Sequence, residues 1–331
     1  RAMPKSTSTG DANVEARTVV AKEFYRTHPD RYDFIVVFSN FEFDTGDALA
    51  FHLGVQNKVK GIGIPEFDNA KEFGSNGKLL GYIDMAALSR YATNPFNPNF
   101  ESVLRTFSHE FLHQWAARVR FKTSTGELST ALLGKDDSHW SFLLNSGASV
   151  EYGNQWRDNF DGTFTSTAAE QFFSPLDLYL MGMHKKEEVP PFFLIDNASI
   201  DQKRLPQSNI TVSGVRRNVS IDDVIAVEGE RNPNADDSQK EFRLGFVLLS
   251  RDGAVPTDAE IAALNGIRKA ITTRLAVMTG GRAIAHSYIE AAQSAANSTD
   301  NSREPEVRAG GANLQDGLTW LKGKQSTNGY W

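Results

Sequence analysis

Residues 108–115 read Ser-His-Glu-Phe-Leu-His-Gln-Trp, and the rest of the chain is organised around this stretch. Its core is the pattern H-E-x-x-H. Residues four apart lie on one face of a helix, so His109 and His113 can offer two imidazole nitrogens to one metal ion. Glu110 is turned by about 100° from His109, beside such an ion rather than on it. The pattern predicts a metal site with Glu110 as general base, and imidazole ligands favour Zn2+ over Mg2+ or Ca2+.

The apolar residues around this motif predict a helix from about 100 to 120. They recur at helical spacing and would form a buried stripe: Val103, Leu104, Phe107, Phe111 and Trp115. A buried helix that also carries two histidines and a glutamate needs a reason for that polarity. The alternative interpretation is a pair of hydrogen-bonded core histidines with a surface glutamate.

The composition is that of a globular protein with one large or two medium domains, since the chain has 331 residues. The net charge is -6, so the composition does not indicate a basic surface for nucleic acid or an anionic membrane. No apolar run is long enough to span a bilayer. Cysteine is absent, which excludes disulfides, thiolate-bound zinc and a cysteine nucleophile.

Changes in composition along the chain predict its organisation. The polar start is expected to be disordered and a Ser-, Asn- and Gly-rich stretch to be a linker. Between them we expect one domain with an N-terminal subdomain and an irregular C-terminal subdomain. The predicted segments are 1–11 (disordered), 12–120 and 121–290 (together the domain 12–290), 291–311 (linker) and 312–331 (tail).

The order of elements resembles the N-terminal half of a zincin, a type of zinc metallopeptidase. A helix and three strands precede the H-E-x-x-H helix. The resemblance implies an α+β fold in which a twisted mixed sheet packs on the active-site helix. It also implies an edge strand that pairs with an extended peptide, and Leu79 to Met85 is the candidate. Three patterns, H-E-x-x-H-x-W, D-x-x-H-W-S and F-S-P-L-D-x-Y-L-M-G, together resemble secreted bacterial zincin-like proteins.

A catalytic zinc normally has three protein ligands and one water, so a third ligand must follow His113. The metzincin extension H-E-x-x-H-x-x-G-x-x-H fails, because Ala116 and Val119 stand at its last two positions. His139 is the preferred candidate, with Asp136 or Asp137 as an acceptor for its second nitrogen. The other candidate is Asp177.

The alternative for Asp177 is structural, because Ser174-Pro175-Leu176-Asp177 has the pattern of a helix N-cap. The same region also resembles the Met-turn of astacin-like metzincins. That resemblance implies Met181 below the metal, and it makes Tyr179 or Tyr152 candidate catalytic donors to an oxyanion. The alternatives are a core methionine and packed tyrosines.

Two further features are weaker. The loop 158–163 could hold Ca2+ through Asp158, Asn159 and Asp161, although it lacks the EF-hand spacing and an Asx turn is the alternative. Four histidines stand alone in the sequence and are expected to be structural or at the surface: His28, His52, His184 and His286.

Residues 317–331 resemble one repeat of the terpenoid-cyclase or prenyltransferase-like α/α-toroid family. That resemblance implies a protein that continues beyond Trp331, because one repeat cannot bury a core alone. The alternative is a single amphipathic tail helix.

These observations predict a zinc-dependent endopeptidase that acts on proteins, peptides or glycoproteins. The resemblance to secreted bacterial zincin-like proteins implies a secreted or cell-surface protein. The first five residues lack the apolar core of a signal peptide, and a leader could have been removed. One alternative is a non-catalytic zincin-like module that binds protein or glycan. Another is a zinc enzyme that hydrolyses a non-peptide amide or ester.

Overall fold

The structure is a computed structural model, and it describes residues 14–46, 48–251 and 253–288. The predicted segments 1–11, 291–311 and 312–331 lie outside the described residues. The described residues form five α-helices: α1 (Val14–Thr27), α2 (Glu101–Leu112), α3 (Pro175–Leu180), α4 (Ile221–Glu228) and α5 (Asp258–Met278).

The strands of the described residues fall into two larger sheets and two small hairpins. In chain order they are β1 (Phe34–Ser39), β2 (Phe51–Gly54), β3 (Gln56–Asn57), β4 (Phe67–Asp68), β5 (Gly81–Ala87), β6 (Phe121–Lys122), β7 (Leu128–Ser129), β8 (Leu144–Asn145), β9 (Asn154–Asp158), β10 (Thr163–Ala169), β11 (Phe192–Asp196), β12 (Thr211–Ser213), β13 (Val215–Val219), β14 (Glu241–Leu249) and β15 (Ile284–Tyr288). The chain is therefore a mixed α+β protein, as predicted at this level.

The first sheet has five strands in the order β15-β14-β1-β5-β2. Strands β15, β14, β1 and β5 are parallel, and β2 pairs antiparallel with β5. The central strand β1 is buried along its whole length, because helices cover both faces. Phe34, Val36 and Phe38 pack on the side of α2, whereas Ile35 and Val37 pack on the side of α1.

The edge strand next to the predicted metal site is β2, and the prediction of Leu79 to Met85 was wrong. Strand β5 occupies most of that stretch and lies between β1 and β2. Every residue of β5 is buried, which is the pattern of an internal strand. The order of strands depends on long-range pairing that local sequence does not encode.

The second sheet has six strands in the order β12-β10-β9-β8-β11-β13, and only β8 and β9 pair in parallel. It lies wholly within the predicted C-terminal subdomain, which is more regular than its composition suggested. Two other strands from that half, β14 and β15, complete the five-stranded sheet. None of the described helices has the length and apolarity needed to cross a membrane.

Helix α2 is anchored to the first sheet by aromatic residues. The Phe111 ring lies 4.8 Å from that of Phe34 and 5.5 Å from that of Phe242, between ring centroids. Phe111 and Phe107 are fully buried. Burying each such side chain contributes about 1.5–3 kcal/mol, so the H-E-x-x-H residues sit on a fixed support.

Candidate metal centre

The two histidines of the motif remain one helical turn apart although α2 ends between them. Leu112 is the last helical residue and His113 is the C-cap. His113 keeps a right-handed helical backbone (φ −53°, ψ −18°), and its N–H donates to the carbonyl of His109 at 3.3 Å. The two ring centroids are 4.8 Å apart. The spacing rule therefore places both imidazoles at one site.

His139 joins these two rings from a distant part of the chain, as predicted. Its centroid is 5.2 Å from that of His109 and 4.9 Å from that of His113. Three imidazoles that share a zinc ion through Zn–N bonds of about 2.0–2.1 Å have centroids roughly 5 Å apart. The three rings already have that spacing.

Two of the rings have one nitrogen held by the backbone. Nδ1 of His109 donates to the carbonyl of Val150 at 2.8 Å, and Nδ1 of His139 donates to the carbonyl of Lys135 at 2.9 Å. A metal-bound histidine usually donates its second nitrogen in this way, which fixes the ring. The acceptor for His139 is thus the Lys135 carbonyl, and the prediction of Asp136 or Asp137 was wrong.

Glu151 completes the group and was missed in the sequence. Its side chain is fully buried, and Oε1 lies 2.8 Å from Nδ1 of His113. Oε2 lies 3.8 Å from Nδ1 of His109. Despite these distances, neither oxygen has a hydrogen-bond partner among the described residues, so the approach to His113 is close but not aligned. No motif spacing links Glu151 to the helix, and the sequence offered no signal for it.

Donor atoms of His109, His113, His139 and Glu151 all lie within 4.8 Å of one another, and the group could hold a metal ion. Burial lowers the pKa of His113 to about 3 and that of His139 to about 2, and it lowers the pKa of His109. The imidazoles are therefore neutral, as metal ligands must be. Burial raises the pKa of Glu151 to about 8, and a buried carboxylate without a partner is stabilised by a cation. The residues present fit a divalent metal.

Glu110 lies beside the group without belonging to it. It is 6% exposed. Burial raises its pKa well above the ordinary value, and the charges of Glu151 and Asp84 raise it further. A hydrogen bond from the backbone of His52 on β2 acts in the opposite direction. Glu110 therefore holds a proton more readily than an ordinary glutamate does.

Tyr152 is the predicted tyrosine that the structure brings to the site. Its ring stacks on His139 with centroids 4.2 Å apart and planes at 14°. Its backbone is left-handed (φ 58°), directly after Glu151. Burial raises the pKa of its hydroxyl to about 12, so this group is a hydrogen-bond donor near neutral pH.

Tyr179, Asp177 and Met181 are not brought to the group. The Tyr179 hydroxyl accepts a hydrogen bond from the backbone N–H of Arg231 at 3.1 Å. Asp177 forms a capping box with Ser174 at the start of α3, which is the structural alternative, and it is not among the residues of the group. Met181 is buried in the main hydrophobic core.

His52 lies next to the group, although it stands alone in the sequence. Its ring centroid is 6.2 Å from that of His113, and its buried Nε2 has no partner among the described residues. Burial lowers the pKa of His52 to about 3. Its position follows from the antiparallel pairing of β2 with β5, which the sequence did not predict.

The predicted Ca2+ loop uses its carboxylates within the loop itself. Asp158 Oδ1 accepts from the N–H of Phe160 at 2.8 Å, and Asp161 Oδ1 accepts from the N–H of Thr163 at 2.9 Å. These contacts are the Asx turns of the alternative interpretation. They give no support to a Ca2+ site.

Comparisons of the chain with protein-family models, curated proteins and solved structures find no match. The class of protein is therefore defined by the fold and the site alone. It is an α+β protein with a buried three-histidine, one-glutamate group that could hold a metal ion.

Proposed function

We propose that this protein is a zinc metallopeptidase of the zincin type that cleaves proteins or peptides with Glu110 as general base. The observation that carries the proposal is the separation of roles on α2. His109 and His113 converge with His139, whereas Glu110 is buried beside the group without belonging to it. A purely structural metal site would not need Glu110, a buried acid in addition to the three histidines and Glu151.

The donor set favours zinc, because neutral imidazoles suit it better than they suit Mg2+ or Ca2+. When bound, zinc polarises a carbonyl and makes a water more acidic. Glu110 then accepts the proton of the attacking water and passes it to the leaving amine. The Tyr152 hydroxyl donates a hydrogen bond to the oxygen on which negative charge develops.

The sheet supports a peptide as the substrate. Strand β2 is an antiparallel edge strand, and the N–H of His52 within it reaches the Glu110 carboxylate. An extended peptide that pairs with a free sheet edge gains main-chain hydrogen bonds. A peptide on β2 would lie close to Glu110, with its scissile bond near the three histidines.

Glu151 favours a second candidate function, a non-catalytic module for a protein or glycan partner. Four protein donors can close the shell of a tetrahedral metal, which is typical of structural zinc sites. The group is also well enclosed, since the side chain of His113 is 14% exposed and that of Glu151 is 0% exposed. In that case Glu110 would serve only as a buried acid.

Peptide hydrolysis by Glu110→Gln separates the two functions, with Glu101→Gln as the matched control. Glu101 is an exposed glutamate on the same helix. Zinc-loaded wild type should digest a peptide library, and chelator should stop it. Glu110→Gln should keep its zinc and lose activity by about 10²–10⁴-fold, whereas Glu101→Gln should match wild type. Unchanged hydrolysis in Glu110→Gln defeats the mechanism, and an inert wild type favours the binding module.

A further inference from the structure

We propose that Glu151 is a fourth protein ligand that closes the resting metal site, and that a substrate must displace it to reach the metal. This inference rests on the metal site of the proposed function and adds a regulatory device to it. It concerns the one donor in the group that is not a histidine.

The two carboxylate oxygens of Glu151 lie next to the histidines of the group. Both are buried and lack a hydrogen-bond partner among the described residues, although Oε1 is 2.8 Å from Nδ1 of His113. An acceptor that merely oriented His113 would lie along the ring N–H direction. Two ligands of one ion instead approach each other without pointing at each other. Donor atoms of the four residues lie within 4.8 Å of one another. At about 2.1 Å from zinc, tetrahedral ligands lie roughly 3.4 Å apart. The 2.8 Å between Glu151 Oε1 and His113 Nδ1 is shorter than that, so metal binding would lengthen it.

The Glu151 carboxylate lies against histidines, and no lysine or arginine of the described residues forms an ion pair with it. Within the described ranges, its ion-pair contacts are with His109 and His113 only. Arg118 acts on Glu151 through its charge without forming an ion pair with it, and its guanidinium donates to the carbonyl of Asp137 at 3.4 Å. Leaving a buried carboxylate unpaired costs several kcal/mol. A metal ion between Glu151 and the histidines removes that cost.

Backbone hydrogen bonds hold Glu151 in place beside the histidines. The Glu151 carbonyl accepts from the N–H of Trp140 at 3.0 Å, next to the ligand His139. Its N–H donates to Oγ of Ser149 at 3.1 Å. The preceding residue, Val150, accepts from the ring of His109 at 2.8 Å. Glu151 is thus fixed on both sides to residues that position the other ligands.

This arrangement has a direct consequence for access to the metal. With three histidines and Glu151 bound, a tetrahedral ion has no free position. An incoming oxygen donor must expand the shell or break the bond to Glu151. Removing Glu151 should therefore open the metal to small ligands, whereas removing a residue that only orients His113 should weaken the site without opening it.

Cobalt substitution tests this without any need for catalysis. The variants are Glu151→Ala and Glu151→Gln, with Glu170→Ala as the matched control. Glu170 is a half-buried glutamate near Tyr152 that is outside the group. The readouts are the visible absorption spectrum of bound Co2+, the Co2+ affinity, and the Kd of acetohydroxamate for the cobalt protein.

In Glu151→Ala we expect a changed spectrum, Co2+ affinity lower by about 100-fold or more, and hydroxamate binding tighter by at least about tenfold. Glu170→Ala should match wild type. A wild-type spectrum with unchanged or weaker hydroxamate binding overturns the proposal. If Glu151→Ala does not fold or hold cobalt, Glu151→Gln decides by the same spectral and hydroxamate criteria.

Failure of the fourth-ligand proposal can be distinguished from failure of the proposed function. A wild type that binds cobalt and shows the Glu151 effects but cleaves no peptide defeats the peptidase and leaves the fourth ligand in place. A wild type that cleaves peptides but shows none of the Glu151 effects supports the peptidase and defeats the fourth ligand. A wild type that binds no divalent metal defeats both.

Discussion

Nε1 of Trp140 donates a 2.8 Å hydrogen bond to Oδ1 of Asp177, and both side chains are buried. The other carboxylate oxygen accepts from the backbone N–H of Ser174 at 2.7 Å. Trp140 directly follows His139, the proposed third ligand. Asp177 therefore connects the segment that carries His139 to the start of α3, and it is not part of the four-residue group.

We expect Asp177→Ala to be strongly destabilising. It removes the acceptor of two buried donors, and each unsatisfied donor costs about 1–3 kcal/mol. The free energy of unfolding, measured by urea denaturation, should fall by about 3 kcal/mol. Asp177→Asn keeps one acceptor oxygen and should lose less. Unchanged stability together with complete loss of metal would instead make Asp177 a ligand.

The two candidate tyrosines should respond differently to removal of the hydroxyl. Tyr152→Phe should lower kcat by about 10²-fold while zinc content stays the same, because Tyr152 stacks on His139 at the site. Tyr179→Phe should leave kcat unchanged and lower the free energy of unfolding by about 1 kcal/mol, because its hydroxyl bonds to Arg231. Steady-state peptidase assays and thermal melts check both. Equal losses of kcat would contradict the assignment.

The ion pair between Glu188 and Arg282 should make stability depend on acid. Hydrogen bonds from the Arg282 guanidinium, and then from the Lys185 backbone, lower the pKa of Glu188 to about 2 from an ordinary value of 4.5. A lowered folded-state pKa means that the contribution is fully present above about pH 4.5 and disappears towards pH 2.

The measurement is the difference in free energy of unfolding between wild type and Glu188→Gln across that range. The difference should be small at pH 6, because the pair is exposed, and it should shrink as the pH falls and as salt is added. A difference that grows on acidification would contradict the account.

The parts of the site that follow from local periodicity could be predicted from the sequence. The four-residue spacing of His109 and His113 fixes their common face, and the apolar stripe through Phe107 and Phe111 fixes which side of α2 packs on the sheet. The capping pattern at Ser174 predicted the structural alternative for Asp177, in which its carboxylate caps the start of α3. Each of these inferences needs contacts within only a few residues.

The parts that depend on long-range pairing could not be predicted. Glu151 reaches His113 through a chain of turns, and no spacing rule connects the two. His52 lies near the site because β2 pairs with β5. Because of that pairing, the edge strand is β2 and not the predicted segment Leu79 to Met85. His139 was found by its chemistry, as a third imidazole, rather than by any local pattern.

The most direct test of the central claim is the zinc stoichiometry and affinity of wild type, His139→Ala and His184→Ala. His184 is a half-buried histidine outside the group and serves as the control. The account predicts one zinc per chain in wild type and in His184→Ala, and an affinity at least about 100-fold lower in His139→Ala. Substoichiometric zinc in wild type, or unchanged affinity in His139→Ala, would contradict it.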